Sequence, residues 1–320
     1  MGFFIPEMEE YDFIIIGAGV AGLSAGMYGA RLGMKILVLG HAFASEMPVG
    51  GTITTTKIIE NWPGEIKISG RELANKIKEH ALSYELVKIK EEKVESVEKR
   101  GKEFVVKSSG GEYVGKTILF ATGTKWKKLK VPGGEEFENK GVFYCAICDA
   151  PLYKNKVVAV IGGADTGVRG ALLLSEYAKK VYLIEVLEKI MAEKSNLKKL
   201  EQNEKIEVIT GKKIIEVKGK SVVEGIVLDK EHGGMKEIAV NGILVSIGRE
   251  ALSELAKKLG VKLNKDGEII TDYKNSETNI LGVYAAGDVI EKKFKQAITG
   301  ASEGCIAAGS AYNYLKNNFQ

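Results

Sequence analysis

Cysteine is scarce in this chain, with three in 320 residues. That excludes the disulfide framework of a small secreted domain. Arginine is also scarce: five, at positions 31, 71, 100, 169 and 249, stand among 46 basic residues. The net charge of +4 is too weak to argue for nucleic acid, whose readers rely heavily on Arg. The Lys and Glu enrichment fits a thermophile or a skewed genomic base composition. There are three histidines. His41, His80, His232 and the isolated Cys305 show no spacing that would build a zinc site. Cys305 reads as a small, buried, apolar residue. No low-complexity tract or short repeat occurs. The apolar stretch Phe13 to Ala30 follows acidic Glu7, Glu9, Glu10 and Asp12, which is wrong for a signal peptide. Its repeated glycines suit strand, turn and helix, so the expectation is a cytoplasmic protein with no membrane or nucleic-acid partner.

A 45% hydrophobic content is ample for packed cores, and the length suggests about two domains. Tyr11 to Ile16 reads as a buried strand, Ala21 to Leu32 as a helix and Lys35 to Leu39 as a second strand. This is the start of a Rossmann-type α/β domain. A loop follows from His41 to Gly51, then an amphipathic helix from Arg71 to Glu85. Strands are expected at Lys88–Val97, Phe104–Ser108 and Thr117–Phe120. The pattern restarts about 145 residues on. Lys156 to Ile161 is a strand, Gly162 to Gly167 a turn, Val168 to Ala178 a helix and Val181 to Glu185 a strand. Further strands are expected at Glu207–Ile209, Ile214–Val217, Val222–Leu228, Ile243–Ile247 and Ile269–Thr271, with helices at Leu252–Leu259 and Ala297–Leu315.

Three motifs carry chemistry. Gly17-Ala18-Gly19-Val20-Ala21-Gly22 joins a strand to a helix, the context in which Gly-x-Gly-x-x-Gly seats a pyrophosphate on a helix N-terminus. The next strand ends in Leu39-Gly40, so no acid waits there for the adenosine ribose. A second loop of this kind begins at Gly162. Just ahead of it lies Cys145-Ala146-Ile147-Cys148-Asp149. Two thiols at this spacing can close and reopen a disulfide, which stores two electrons. Asp149 could shuttle the proton that thiol chemistry requires. A zinc site would need a second ligand pair, which is missing. An electron store between two dinucleotide loops is the layout of a flavoprotein disulfide reductase.

With these pieces placed, the chain resembles the low-molecular-weight thioredoxin reductases nearly end to end. Gly50-Gly51-Thr52-Ile53-Thr54-Thr55-Thr56 through Asn61-Trp62-Pro63-Gly64 is similar to their flavin-contacting segment. Ala121-Thr122-Gly123 resembles their domain-joining strand, and Val142 to Asp149 their redox centre. Gly287-Asp288 and Lys295-Gln296-Ala297 resemble their C-terminal flavin site, with Lys295 where Arg is usual. The resemblance implies two Rossmann-like, three-layer nucleotide-binding domains, the second inserted in the first. Residues 1–122 and 249–320 would bind FAD. Residues 123–248 would form an NAD(P)-binding-like domain carrying the Cys pair. FAD ligands would include Gly17, Gly19, Gly22, Gly51, Thr52, Asn61, Ala121, Thr122, Gly123, Gly287, Asp288, Lys295, Gln296 and Ala297. Asp288 would hold the ribityl chain, and Gln296 and Ala297 would reach the isoalloxazine. Cys148 would face the flavin, Cys145 would attack a thioredoxin- or glutaredoxin-like partner, and Asp149 would act as acid or base. A homodimer, and a rotation of the small domain, are implied as well.

The second loop departs from the family. Its usual Gly-Gly-Gly-Asp-Ser-Ala is Gly162-Gly163-Ala164-Asp165-Thr166-Gly167 here, and Ala164 sets a methyl group where pyrophosphate approaches. Glu185 stands at the usual His, and Val186, Leu187 and Met191 at all three arginines that hold the NADPH 2′-phosphate. Each lost charged hydrogen bond costs roughly 1.5–3 kcal/mol. Lys189 and Lys194 do not offer the fork that phosphate favours. NADPH is therefore disfavoured. Two readings stay open. Glu185 lies about 20 residues past the loop, where an acid accepts from the ribose of NAD, so Gly162, Gly163, Ala164 and Glu185 could serve NADH. Alternatively the site is vestigial and electrons come from ferredoxin or a deazaflavin. For the whole protein, a thioredoxin-disulfide reductase activity leads. A flavin dithiol oxidase acting on a small dithiol, and a redox-sensing flavoprotein without turnover, are the alternatives. An intact Asp149 favours an enzyme.

Overall fold

The computed structural model describes residues 8–41, 49–56 and 58–319, with the side chains of Thr55 and Cys148 outside the description. Part of the loop expected from His41 to Gly51 thus lies outside the described residues. The chain divides into two units, one of residues 1–125 and 250–320, the other of residues 126–249.

The first unit starts with strand β1 (Glu9–Ile16), helix α1 (Val20–Arg31) and strand β2 (Ile36–Gly40). A 3-10 turn (Gly51–Thr55) precedes α2 (Gly70–Leu82), whose Ser69 cap accepts from the Glu72 amide. Then come β3 (Val87–Glu91), β4 (Val94–Arg100), β5 (Glu103–Ser108) and β6 (Gly111–Phe120). The sheet order is β3-β2-β1-β6-β5-β4. Strands β1, β2, β3 and β6 run parallel, while β4, β5 and β6 form an antiparallel meander. The strand expected over Lys88–Val97 is two strands. Ser109 closes the gap between them, donating to the Lys93 carbonyl and accepting from the Lys93 amide. The buried side chains of β1 divide between two core clusters. Tyr11, Ile14 and Ile16 enter one core cluster, and Phe13 and Ile15 another with Ala21 and Ala25 of α1. Both faces are covered, as a near-continuous apolar strand demands.

Strand β7 (Thr124–Trp126) leads into the second unit. There β8 (Val142–Phe143), α3 (Ala146–Asp149), β9 (Val157–Ile161), α4 (Asp165–Tyr177), β10 (Lys180–Ile184), α5 (Lys194–Glu201) and β11 (Ile206–Ile209) are followed by the meander β12 (Ile214–Gly219), β13 (Val223–His232) and β14 (Met235–Ala239), then β15 (Gly242–Val245). The parallel sheet β11-β10-β9-β15-β8 has a separate three-stranded sheet, β12-β13-β14, beside it in sequence. Helix α4 begins at Asp165, three residues before the expected start, because the glycine turn is part of its first turn. Helix α5 and strand β14 escape sequence patterning. Their segments, Lys-Ser-Asn-Leu-Lys-Lys-Leu-Glu and Met-Lys-Glu-Ile-Ala, bury only Asn196 and Leu200 in one and Ile238 in the other.

The chain returns through β16 (Arg249–Ala251), which pairs with β7, and α6 (Glu254–Leu259). Strand β17 (Val283–Ala285) adds to β6, and α7 (Ala297–Asn318) closes the first unit against α1. The segment Ile269–Thr271 is not a strand; Ile269 makes isolated bridges to Leu263 and Ile290. Two α/β units, each with parallel strands that carry α-helices on one face, are the Rossmann-like architecture expected. Among the described residues no helix is long and apolar enough to cross a membrane.

Candidate active site

The first glycine loop has the geometry a dinucleotide needs. Gly17 has φ +115°, and a Cβ there would overlap the Ala121 carbonyl. A Cβ on Gly22 would overlap the Gly17 carbonyl oxygen, so only glycine lets α1 pack this close to β1. Gly19 is the N-cap of α1, and a Cβ on it would meet nothing nearer than the Gly51 Cα at 3.7 Å. That space lies over the helix N-terminus, where backbone N–H groups attract phosphate. Gly51 comes from the other side, where a Cβ would sit 2.8 Å from the Gly19 Cα. The Gly50 amide donates to the Ala18 carbonyl at 2.8 Å and fixes this approach. The Ala121 amide donates to Ile16 at 2.8 Å, and the Thr122 hydroxyl to the Leu252 carbonyl at 2.6 Å. The Leu252 amide in turn donates to the Gly123 carbonyl.

Residues distant in sequence join this loop. The Asn61 side-chain amide donates to Gln296 Oε1 at 3.0 Å across 235 positions. Gln296 caps α7 through a reciprocal box with Thr299, and Ala297 begins the helix. Gly287, at φ +85°, sits so near α1 that a Cβ would be 3.0 Å from the Ala21 Cβ. Lys295 donates to the Asp288 carbonyl at 2.7 Å and pairs with Glu268. Glycine-lined space over a helix N-terminus, with Asp288, Asn61 and Gln296 on one unit, fits a flavin dinucleotide. Thr52 lies on the adjoining 3-10 turn.

The second unit carries the redox motif. Strand β8 pairs with β15 and delivers Tyr144 and Cys145 to the start of α3. Cys145 is disulfide-bonded, and its carbonyl accepts from the Asp149 amide at 3.1 Å. The side chain of Cys148 lies outside the described residues. Burial pushes the Asp149 carboxyl above its ordinary pKa, the direction that suits a proton donor. Burial and the neighbouring Asp149 raise the Tyr153 hydroxyl to about 12, and its ring stacks on Phe143 at 4.7 Å. Sequence reasoning missed a cluster beside Cys145. The Tyr144 hydroxyl donates to Glu138 Oε1 at 2.6 Å, and Lys128 donates to Glu138 Oε2 at 2.9 Å while lying 4.6 Å over the Tyr144 ring. Burial acts to raise Glu138, but the Tyr144 and Lys128 contacts outweigh it and hold the carboxyl low. The spacing of 128, 138 and 144 follows no helix or strand period, so no local signal marks it. Cys305, in α7, is free and half-buried rather than fully buried, and burial raises its thiol to about 11.

The second glycine loop copies the first in backbone and differs in side chains. Gly162 has φ +109°, and a Cβ on Gly167 would overlap the Gly162 carbonyl oxygen. Ala164 caps α4 with φ −82° and ψ 173°, close to the −80° and −173° of Gly19. The Glu185 carboxylate accepts from the Gly163 amide with one oxygen and from the Leu187 amide at 2.9 Å with the other. The Met191 amide donates to Gly163 at 3.0 Å, and the Glu193 amide to Asp165 Oδ1 at 2.7 Å. Val186, Leu187 and Met191 are exposed and uncharged.

A flavin-type loop and a Cys-pair motif on two Rossmann-like units define a disulfide oxidoreductase, and the comparisons with known proteins agree. The family described as pyridine nucleotide-disulphide oxidoreductase matches residues 11–304. A thioredoxin reductase of Peptoclostridium acidaminophilum is 36% identical over 97% of this chain and 98% of its own. The crystal structure of Lactococcus lactis thioredoxin reductase, in the FR conformation, superposes with a TM-score of 0.86 at 35% identity, covering 96% of this chain and 99% of that one. A ferredoxin-flavin thioredoxin reductase from Clostridium acetobutylicum gives 0.51 at 29% identity, covering 98% and 100%. The chain belongs to the pyridine nucleotide-disulphide oxidoreductases, in the low-molecular-weight thioredoxin reductase family.

Proposed function

We propose that this protein is an FAD-dependent reductase of a thioredoxin- or glutaredoxin-like protein disulfide. The observation that carries the reading is the disulfide-bonded Cys145 on a motif whose Asp149 is buried enough to be biased toward its protonated form. FAD, when bound, supplies the two-electron chemistry. Gly17, Gly19, Gly22, Gly51, Thr52, Asn61, Ala121, Thr122, Gly123, Gly287, Asp288, Lys295, Gln296 and Ala297 of the first unit hold it. In the second unit Cys148 is the disulfide partner of Cys145. Two electrons open this bond to two thiols. The Cys145 thiol gives its proton to solvent, and its thiolate attacks the partner's disulfide and releases one partner thiolate, which takes a proton from Asp149. Cys148 returns a proton to Asp149 and displaces the mixed disulfide, restoring the Cys145–Cys148 bond and freeing the second partner thiolate, which solvent protonates.

NADPH is disfavoured as the donor. A 2′-phosphate would meet the Glu185 carboxylate and no arginine at 186, 187 or 191. The methyl of Ala164 adds a steric obstacle at the pyrophosphate position. We favour a non-nicotinamide donor of the ferredoxin kind, in keeping with the end-to-end match to the ferredoxin-flavin enzyme. NADH is the second reading. It is favoured by Glu185 itself, because a carboxylate oxygen that accepts one amide still has a lone pair for a ribose hydroxyl. A homodimer is also proposed, to be checked by light scattering. The decisive test is anaerobic mixing of the oxidised flavoprotein with NADH, NADPH or reduced ferredoxin, following flavin bleaching and reduction of a thioredoxin. Bleaching by NADPH would overturn the donor assignment. A Cys148→Ser variant that still reduced thioredoxin with flavin electrons would overturn the redox centre.

A further inference from the structure

We propose that Glu303, held by Lys292, is the positioning residue that aims the Gly287–Asp288 turn at the flavin dinucleotide. This rests on the reading that the first unit binds FAD through Asp288. Three observations carry it. The turn is wedged between two helices, since a Cβ on Gly287 would lie 3.0 Å from Ala21 and one on Gly300 would lie 3.4 Å from the Gly287 Cα. The Ala286 amide ties its N-terminal side to the Phe120 carbonyl at 3.0 Å. The next amide, Gly287 N–H, donates to Glu303 Oε2 at 2.9 Å. Glu303 thus fixes the Ala286–Gly287 peptide, one peptide ahead of the Gly287–Asp288 link, and Lys295 fixes the carbonyl of Asp288 itself.

The Glu303 carboxylate is itself clamped. Lys292 Nζ donates to Oε1 at 3.0 Å and to Oε2 at 2.8 Å, with the Thr299 hydroxyl at 3.3 Å as a further contact. The Lys292 side chain is only 8% exposed and that of Glu303 20%. The Ser276 hydroxyl donates to the Glu303 carbonyl at 3.2 Å, which secures the helix turn that carries the carboxylate. Burying an ion pair gives little net stability compared with apolar residues of the same size, because desolvation offsets the attraction. Its value here is directional. The charged pair presents a strong acceptor at one place and so sets the plane of the Ala286–Gly287 peptide, from which the chain turns at Gly287 into Asp288. None of the thiol chemistry uses it.

The test is FAD titration of the apoprotein, read by flavin fluorescence, together with hydrogen exchange at the Gly287 amide. Lys292→Met with Glu303→Met removes both charges together, so neither is left buried alone. It should weaken FAD by about 10- to 100-fold, the loss expected when a hydrogen bond to a charged group is removed, and speed exchange at Gly287. Glu303→Gln keeps an acceptor for that amide and should lose less than the double variant. In an Asp288→Ala background the same double substitution should cost little more, because its effect passes through Asp288. An equal further loss there, or unchanged FAD affinity in the wild-type background, would overturn the proposal. Should the double variant fail to refold, Glu303→Gln decides alone. Faster Gly287 exchange with weaker FAD binding supports the proposal, and the absence of either change overturns it. Wild-type apoprotein that takes up no FAD would instead remove the flavin reading itself.

Discussion

The two glycine loops are built to one backbone plan and filled in opposite ways. In each, the first glycine turns at positive φ, at +115° for Gly17 and +109° for Gly162. In each, the last glycine lets helix touch strand. The difference lies in the middle. The first loop has Ala18 packed against Gly40 at the end of β2, and a bare Gly19 at the helix cap. The second has bare Gly163 beneath Glu185, which follows β10 at the position matching Gly40, and a methyl-bearing Ala164 at the cap. The side chain that fills the space under the loop has moved from loop to strand, and the open cap has been closed. One fold thus offers one loop ready for pyrophosphate and one whose approach is narrowed and acidic.

The comparison can be broken most forcefully at the last glycine. Gly22→Val should abolish FAD binding and destabilise the first unit by more than about 4 kcal/mol, since its Cβ would overlap the Gly17 carbonyl. Gly167→Val should destabilise the second unit similarly while the yellow flavin stays bound. Loss of flavin from the second variant, seen by absorbance after gel filtration, would show that the loops are not separable. Next in size is restoration of a phosphate site. Ala164→Gly with Val186→Arg, Leu187→Arg and Met191→Arg should raise the rate of flavin reduction by NADPH at least about tenfold, one regained charged hydrogen bond being worth roughly 1.5–3 kcal/mol. Stopped-flow traces no faster than wild type would refute the account of this loop.

A finer probe makes the first loop resemble the second. Gly19→Ala should weaken FAD by about 1–3 kcal/mol through overpacking at the cap, whereas Ala164→Gly should leave FAD affinity unchanged; fluorescence titration measures both. The smallest effect belongs to Asp149. Its folded pKa is raised by burial, so its contribution to stability is full at low pH and is lost as pH rises through that folded value. Asp149→Asn should therefore melt higher than wild type near neutral pH and no higher at about pH 3, below the ordinary carboxylate range. Equal melting temperatures at both pH values would refute the burial argument.

Much of this was legible in the chain. Apolar runs such as Phe13–Ile16 and Val157–Ile161 mark buried parallel strands because both faces of such strands are covered. Glycine spacing marks the loops because no other residue fits those turns. The spacing of Cys145 and Cys148 raises the expectation of a redox pair. What patterning could not show involved polar groups meeting across long separations. Glu138 with Tyr144 and Lys128, Asn61 with Gln296, and Lys292 with Glu303 and Gly287 have no period that links them. Helix α5 and strand β14 were hidden because they bury too little to impose a pattern. Glu185 was visible as an acid at the right distance. That both of its oxygens are tied to backbone amides is a matter of how the 185–193 segment folds over the loop. The sequence by itself determined the two α/β units and the glycine turns, since each depends on local sterics or on burial periodicity. Only the tertiary structure decided which carboxylates are clasped, buried or braced, because those properties depend on what the fold brings within hydrogen-bonding distance.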